Sequence, residues 1–228
     1  MNINEAIRNR NSTRKYTTEP VQQKILQDII ETSQWTGSFL NVQPWEFAVL
    51  GGNVMQELKD RLIQHYESGK PVEREYAIGM PLQEPYSQRA EEFRVNIDSL
   101  MFPPGTENLE QAKRDYTYSG LMVRDVPNAI VIYTEKKLFE SPLHIMALGM
   151  IAQSVCLSAL EYGLSTCIMG RPVETPNILR ELLGIASSKI IMCVIAIGYR
   201  DETARINQLV RNRVCLDEWV HWHGFTER

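Results

Sequence analysis

Two arginines and a serine at alternate positions near the N-terminus are the first residues suited to chemistry. If the backbone is extended there, Arg10, Ser12 and Arg14 all point to one side of the chain. Two guanidinium groups and a hydroxyl suit a phosphate monoester, because charge-assisted bidentate hydrogen bonds add geometric specificity to affinity. The alternative is a solvated basic turn after a helix, with Arg10 placed favourably near the negative end of the helix dipole.

Amide side chains form a second candidate group. Asn41 and Gln43 alternate immediately before Pro44 and Trp45. Because an amide both donates and accepts hydrogen bonds, such a pair suits the mixed edge of a heteroaromatic ring. The alternative is a polar loop in which Trp45 plugs the core.

A glycine and a basic tripeptide complete the candidates. Gly170 follows a short predicted strand, and its lack of a side chain lets a ligand approach the backbone N–H closely. Arg211-Asn212-Arg213 offers further guanidinium groups for an anion. Both also have ordinary interpretations, as a turn glycine and as a charged loop.

The sequence lacks the common motifs for phosphate binding, nucleophilic catalysis and zinc binding. There is no glycine-rich phosphate loop, no nucleophile elbow and no zinc-binding helix motif. His221 and His223 form a pair without accompanying carboxylates or thiols, so a metal site there is not favoured. If the protein is an enzyme, we therefore expect its reactive group to come from a cofactor and not from a metal.

Composition excludes several classes of protein. The 228 residues carry 24 Lys and Arg against 28 Asp and Glu, and this net charge of −4 provides no overall basic field for nucleic acid. The longest apolar run, 190–198, is too short to span a bilayer, and the N-terminus lacks the apolar core of a signal peptide. The four cysteines form no C-x-x-C pair, as in a reduced protein. We expect a cytoplasmic protein without a nucleic-acid or membrane partner.

Hydrophobic spacing predicts the elements that position these residues. In the N-terminal half we expect a helix over 3–10, a helix opening at 18–20 with Thr18 as its N-cap, and a strand over 46–50. A further helix is predicted with Asn53 as its cap.

The C-terminal half alternates strands and helices. The elements predicted there are a strand over 128–133, a helix over 142–162 begun by Ser141-Pro142, a strand over 166–169, a helix capped by Thr175-Pro176 and closed by Gly184, and a strand over 190–198. The long helix is apolar around most of its circumference, which predicts burial in the core or against a second subunit. This is an α+β pattern, a sheet covered by helices.

Two segments stand apart from this pattern. Residues 68–105 contain five prolines, many charges and one helical piece, and we interpret them as a lid or insertion over the core. Residues 211–228 form a C-terminal arm whose Trp219, Trp222 and Phe225 must dock on another surface. We expect 1–228 to be a single domain that carries this lid and this arm.

Taken in order, the motifs resemble those of the FMN-dependent nitroreductase family. Residues 10–14 match its Arg-x-Ser-x-Arg motif, and residues 38–45 match its Ser-x-x-Asn-x-Gln-Pro-Trp motif. Residues 163–170 match its Gly-Leu-x-Thr-Cys strand with the glycine that follows, and 198–217 match its C-terminal elements. The 84–86 insertion and Asn207 resemble the subgroup that includes nitrobenzoate reductases.

The resemblance implies a nitroreductase-like fold, in which a central, mainly antiparallel sheet is covered by helices, and an intertwined homodimer with FMN at the subunit interface. It assigns the phosphate and ribityl chain to Arg10, Ser12, Arg14 and Arg213, with Arg211 as a weaker candidate. The resemblance also implies that Ser38, Phe39 and Asn41 of the partner subunit reach the flavin. The Met169-Gly170 backbone would approach flavin N5, with the Gly170 N–H as the catalytic donor.

Departures from the family pattern concern the substrate more than the cofactor. Phe39 stands where the family has a small residue, so its ring would narrow the site or form part of one wall. Met169-Gly170-Arg171 replaces the commoner Gly-Gly or Glu-Gly. Arg171 near the ring would favour an anionic substrate or the reduced flavin, unless it is simply solvated.

The resulting hypothesis is an FMN-dependent oxidoreductase. It would pass hydride from NADH or NADPH through flavin N5 to a nitroaromatic, a quinone or a similar small electron-poor aromatic acceptor, by a ping-pong mechanism. One alternative is a non-catalytic flavin-binding or sensing protein, in which Phe39 and the lid exclude a second substrate. Another is a specialised flavin reductase such as a reductive dehalogenase.

Overall fold

A four-stranded antiparallel sheet forms the centre of the computed structural model, which describes residues 2–79 and 81–225. The strands are β1 (Glu46–Leu50), β2 (Asn128–Glu135), β3 (Ser165–Met169) and β4 (Lys189–Gly198), and they lie in the order β1-β2-β4-β3. The two central strands, β2 and β4, are almost wholly buried. This burial matches the continuous apolar run predicted for 190–198.

Helices cover both faces of this sheet, so the predicted α+β fold is confirmed. In the described residues they are α1 (Ile3–Asn9), α2 (Gln23–Ser33), α3 (Gly52–Glu67), α4 (Tyr86–Met101), α5 (Leu109–Leu121), α6 (Lys136–Phe139), α7 (Pro142–Glu161) and α8 (Pro176–Leu183).

The core consists of two clusters, one on each face of the sheet. Along β2, Ala129 and Val131 belong to the cluster that contains α3 and α8, while Ile130 and Ile132 belong to the cluster that contains α2 and α7. The alternation follows from the pleat, because successive strand side chains point to opposite faces.

Helix α7 is buried along one side only. Its buried residues pack on the sheet and on α2, whereas Leu143, Met146 and Met150 on its other side are exposed. By length and composition alone this helix could cross a membrane, a test that the core helices of globular proteins also pass. The sequence predicted that this helix packs in the core or against a second subunit. One side packs in the core, and the exposed apolar side remains available for contact with a second subunit.

Two predicted helix starts are wrong, and the side chain of Asn128 bonds to the chain just before each observed start. Helix α2 begins at Gln23, not at 18–20, because the Val21 N–H donates to the side chain of Asn128 at 2.8 Å and keeps the preceding chain extended. Helix α3 begins at Gly52, before Asn53, with Gly51 as its N-cap residue. A Cβ on Gly51 would lie 2.6 Å from Asn128 Nδ2, so this buried asparagine requires the glycine.

Other local predictions also need correction. Ser141 and Thr175 lie at the starts of α7 and α8 as predicted, but neither side chain makes a capping hydrogen bond. The aromatic residues of the C-terminal arm do not dock within this chain, because Trp219, Trp222 and Phe225 are all exposed.

The segment that separates β1 from β2 holds more helix than its sequence indicated. Helix α4 lies inside the predicted 68–105 lid, and α5 follows it without having been predicted. Met80 in the lid and the last three residues of the arm lie outside the described residues.

Candidate functional site

The N-terminal segment after α1 lies beside β3. The Thr13 N–H donates to the carbonyl of Thr166 at 3.0 Å, and Ser12 forms a parallel bridge with the same residue. Thr13 is fully buried, whereas Ser12 and Arg14 are half-buried. This is the alternation of an extended chain, so Ser12 and Arg14 lie on the side away from Thr13, as predicted.

Asn207 ties this segment to the chain that follows β4. Its side-chain oxygen accepts hydrogen bonds from the N–H groups of Arg14 (2.8 Å) and Lys15 (3.3 Å). Its amide nitrogen donates to the carbonyls of Lys15 (2.7 Å) and Asp201 (2.9 Å). The side chain is buried and fully hydrogen-bonded, so it fixes the register between the two segments that carry the predicted arginines.

Arg211 makes a second connection between the same segments. Its guanidinium donates to the carbonyl oxygens of Arg10 at 2.6 Å and Arg8 at 3.2 Å. The neighbouring Arg213 is exposed and donates to the Asn212 carbonyl at 2.8 Å. The structure therefore brings the basic residues of both predicted motifs together.

Four guanidinium groups are crowded at this place. Partial burial, followed by the positive charges of Arg213, Arg10 and Arg14, lowers the pKa of Arg211 from its ordinary value. In the described ranges, none of the four forms a salt bridge with a carboxylate. A bound anion would relieve this mutual repulsion and supply the missing acceptor.

The backbone around Gly170 lies at the far end of β3 from this cluster. Gly170 lies four residue steps along the chain from Thr166, which corresponds to about 13 Å of extended backbone. Met169 is buried, and a Cβ on Gly170 would lie 3.3 Å from Ile78 Cγ2. Strand β3 thus runs from the arginine cluster at one end to the Gly170 backbone at the other.

The predicted residues after α2 lie elsewhere on this chain. Ser38, Phe39 and Asn41 belong to an exposed turn that packs on α7, and no hydrogen bond among the described residues joins them to the arginine cluster. Leu40, Asn41 and Gln43 all have positive φ, a costly arrangement that is concentrated at functional sites. Gln43 bonds back onto this turn, with its N–H on Ser38 Oγ (2.9 Å) and its side-chain amide on the Asn41 carbonyl (3.2 Å).

A half-buried arginine beside the site was missed by the sequence analysis. Arg124 lies in a turn whose three residues, Val123–Asp125, all have positive φ. Its Nε and Nη1 are buried and have no hydrogen-bond partner among the described residues, and its guanidinium lies 5.3 Å from the centre of the Tyr116 ring. Arg124 is also close enough to Tyr16 to act on that phenol, whose pKa is raised mainly by burial. No sequence pattern marks this arginine as buried.

Helix α4 and the C-terminal arm border the cluster. The Arg14 guanidinium lies 5.5 Å from the centre of the Phe93 ring on α4, which is a cation–π distance. A cavity of about 440 Å³ lies between α4 and residues 210–218, and its lining includes Arg211 and Arg213. The predicted lid therefore contacts the predicted anion site.

The described residues contain no group of three or more His, Cys, Asp or Glu side chains that could hold a metal. Three cysteines are buried free thiols and the fourth, Cys215, is exposed. Burial raises the pKa of Cys156 to about 11 and that of Cys193 to about 12, so neither is a ready nucleophile.

Fold and sequence place this chain in a known family. Residues 7–199 match the Nitroreductase family, so the chain belongs to it, and the resemblance drawn from the motifs is confirmed. It is 26% identical over 221 residues to a chloronitrobenzene nitroreductase of Comamonas testosteroni, covering 96% of this chain and 95% of that protein. A 4-nitrobenzoate reductase of Nocardioides sp. is 27% identical over 94% of this chain and 87% of its own length.

Solved structures agree with this placement. The FMN- and NADPH-dependent nitroreductase NfnB from Sphigopyxis sp. strain HMH superposes with a TM-score of 0.91 at 26% identity, over 99% of this chain and 100% of that chain. The FMN-dependent NfnB of Mycobacterium smegmatis, whose structure contains NADPH, has a TM-score of 0.88 at 18% identity, over 96% and 97% of the two chains. The nitroreductase-like fold is confirmed.

Proposed function

We propose that this protein is an FMN-dependent nitroreductase that takes electrons from NADH or NADPH. The observation that carries the proposal is the cluster of Arg10, Arg14, Arg211 and Arg213 at one end of β3, with the close-approach backbone of Gly170 at its other end. This arrangement suits a cofactor with a phosphate at one end and a flat ring at the other. The similar NfnB enzymes are FMN-dependent.

The residues on this chain would divide the work of binding. The guanidinium groups and the Ser12 hydroxyl would hold the phosphate and ribityl chain through charge-assisted hydrogen bonds. Arg124, whose buried nitrogens lack partners, fits an additional hydrogen-bond acceptor on the ligand. At the other end, the Met169-Gly170 backbone would present the Gly170 N–H to the ring.

Bound FMN would supply the redox chemistry, accepting hydride at N5 from the nicotinamide and passing it to a second substrate in a ping-pong sequence. The protein's part is to orient both substrates and to exclude water. Helix α4 borders the arginine cluster through Phe93, so the 68–105 lid is well placed to cover the site. We propose that the lid and the C-terminal arm belong to one domain that spans 1–228.

A homodimer would complete the site. Large apolar side chains are exposed on the turn after α2 and on the outer side of α7, where a soluble monomer would leave them in water. They are Trp35, Phe39, Leu40, Leu143, Met146 and Met150. An intertwined dimer formed through this surface would bring Ser38, Phe39 and Asn41 of the partner subunit to the flavin. We place the protein in the cytoplasm, in keeping with its reduced thiols.

The acceptor class follows from the relatives. Proteins named for chloronitrobenzene and nitrobenzoate reduction are similar over nearly the whole chain. We therefore propose a small electron-poor aromatic compound, a nitroaromatic first and a quinone second.

The test is a visible absorption spectrum of the FMN-loaded protein before and after anaerobic addition of NADPH or NADH. The proposal predicts that the flavin bleaches and that 4-nitrobenzoate or a quinone restores the oxidised spectrum. A folded protein that fails to bind FMN would contradict the assignment. A flavin that stays oxidised with both nucleotides would indicate a flavin-binding protein without reductase activity.

A further inference from the structure

Helix α4 lies beside the arginine cluster without burying any of its own residues. Within Tyr86–Met101 every residue is exposed or half-buried, and the helix packs mainly on the turn Arg205–Gln208. Gly79 and Gly105, on either side of the helix, have φ of +82° and +89°. Glycines of this kind can absorb a change of backbone direction, so the position of α4 depends on its contacts with the site and not on a buried core of its own.

The turn on which α4 packs belongs to the proposed anion site. It contains Asn207, whose side-chain oxygen accepts a hydrogen bond from the Arg14 N–H at 2.8 Å. Phe93 of α4 contacts the other end of the same arginine, because the Arg14 Cζ atom lies over the Phe93 ring at 5.5 Å from its centre. Asn207 therefore holds the backbone of Arg14, and Phe93 holds its guanidinium group.

An aromatic ring can hold a cation without neutralising it. The contact with Phe93 leaves the positive charge of Arg14 in place, whereas a carboxylate at the same position would cancel it. Arg14 Nη1 donates to the Ser12 carbonyl at 3.0 Å, and no carboxylate among the described residues pairs with this guanidinium. Arg14 is therefore fixed in position and still able to bind an anion.

The face of α4 that carries Phe93 is turned toward the cluster. Arg89, one helical turn before Phe93, lies on the same face, and its Nη2 is 3.7 Å from Glu218 Oε2 in the C-terminal arm. Phe93 and Arg89 line the cavity of about 440 Å³ together with Arg211 and Arg213. A phosphate bound by the cluster would therefore lie close to this face of the helix.

We propose that Phe93 positions the Arg14 guanidinium for the cofactor phosphate, and that α4 thereby sets how fast FMN dissociates. The inference rests on the proposed function, which makes the phosphate of FMN the bound anion. A long side chain loses conformational freedom when it binds a ligand, and one that is already held in place loses less. Because such coupling is reciprocal, bound FMN should in turn hold α4 against the cluster.

The test measures the dissociation rates of FMN and of riboflavin from the flavin-loaded protein by stopped-flow fluorescence. Phe93→Leu keeps an apolar side chain but removes the aromatic face, so FMN should dissociate about fivefold faster while the riboflavin rate stays the same. Phe93→Tyr keeps the aromatic face and should retain the native FMN rate. Val95→Ala, at an exposed position of the same helix, is the matched control and should leave both rates unchanged.

Two further measurements assign the effect to Arg14. In an Arg14→Gln background, Phe93→Leu should cause no additional change in FMN dissociation, because the cation that the ring holds is gone. Hydrogen exchange of the α4 amides should slow when FMN binds, and this protection should be lost in Phe93→Leu.

Several outcomes would overturn the role of Phe93. They are an unchanged FMN rate in Phe93→Leu, an equal acceleration of FMN and riboflavin, a Phe93→Tyr rate as fast as that of Phe93→Leu, an effect that persists in the Arg14→Gln background, and exchange in α4 that does not respond to FMN. If the unsubstituted protein binds no FMN, the proposed function fails and the role of Phe93 fails with it. If it binds FMN and the Phe93 variants do not differ, only the role of Phe93 fails.

Discussion

The side-chain oxygen of Asn207 accepts a hydrogen bond from the backbone N–H of Arg14 at 2.8 Å, although 193 positions separate the two residues. This bond and two others made by the same amide, from the Lys15 N–H and to the Lys15 carbonyl, join the N-terminal arginine segment to the one that carries Arg211 and Arg213. The proposed anion site therefore draws on segments that are distant in sequence, and one buried asparagine holds these segments together.

Replacing that asparagine should lower both the stability of the protein and its affinity for FMN. Asn207→Ala leaves the backbone N–H groups of Arg14 and Lys15 without their acceptor, which should lower the free energy of unfolding by about 1–3 kcal/mol. Because the two arginine segments lose their register, FMN affinity should fall about tenfold. Urea denaturation and fluorescence titration with FMN measure the two effects. The exposed Asn53→Ala on α3 is the control, and unchanged FMN affinity in Asn207→Ala would contradict the positioning role.

The arginine cluster predicts discrimination between FMN and riboflavin. Arg211→Gln removes a guanidinium assigned to the phosphate, so FMN should bind about 10–100-fold more weakly while riboflavin affinity stays the same. Stability without cofactor should change little, because relief of repulsion among the four cations offsets the lost bonds to Arg10 and Arg8. Titration with both flavins checks this, with Arg61→Gln on α3 as the control. Equal losses for the two flavins would remove the phosphate assignment.

Two substitutions of Gly170 distinguish the role of its N–H from the effect of adding a side chain. Its φ of −90° and ψ of −27° suit any residue, and an added Cβ would lie 3.3 Å from Ile78 Cγ2, a tight contact that a shift of a few tenths of an ångström relieves. Gly170→Ala should therefore retain flavin reduction at about the native rate, whereas Gly170→Pro removes the donor and should slow reduction by about 10²–10³. Stopped-flow reduction by NADPH measures both. Equal rates for the two variants would exclude a role for this N–H.

Local signals in the sequence were sufficient for most of the fold. The continuous apolar run of β4 and the closure of α8 at Gly184, whose φ is +65°, depend on neighbouring residues alone and were predicted closely. The start of α2 was wrong because it depends on Asn128, which is distant in sequence. Helix α5 was not predicted, since only Gly120 and Leu121 of its residues are buried and its pattern is weak.

The residues of the candidate site also fall into those that sequence motifs point to and those that only the structure reveals. Ordered motifs were enough to identify the arginines and Gly170, because residue type and spacing carry that information. No sequence pattern indicates that a polar group is buried without a hydrogen-bond partner, so Arg124 looks in the sequence like any charged loop residue. The same holds for the hydroxyl of Thr175, which was predicted to cap α8 and instead is buried without a hydrogen-bond partner among the described residues.

The exposed side of α7 should be where two subunits meet. Met150→Asp places a charge among the apolar side chains of this surface, so we expect it to convert the dimer to a monomer. FMN affinity should fall with it if the partner contributes Ser38, Phe39 and Asn41. Light scattering after size-exclusion chromatography measures the mass. Val54→Asp, an exposed apolar position on α3, is the control and should remain dimeric; a native mass for Met150→Asp would place the interface elsewhere.

The four thiols should differ sharply in reactivity. Burial raises the pKa of Cys156 to about 11, so at pH 8 only about one molecule in a thousand carries its thiolate, and Cys193, at about 12, carries still less. Cys167 is also buried, and Cys215 is exposed. Reaction with a thiol-specific disulfide reagent at pH 8 should therefore show a single fast thiol, which disappears in Cys215→Ser, and four thiols after denaturation. Because a raised pKa lowers the thiolate fraction at pH 8, labelling of Cys156 and Cys193 should increase as the pH approaches their pKa values. A second fast thiol in the native protein at pH 8 would mean that one of the core clusters opens to solvent.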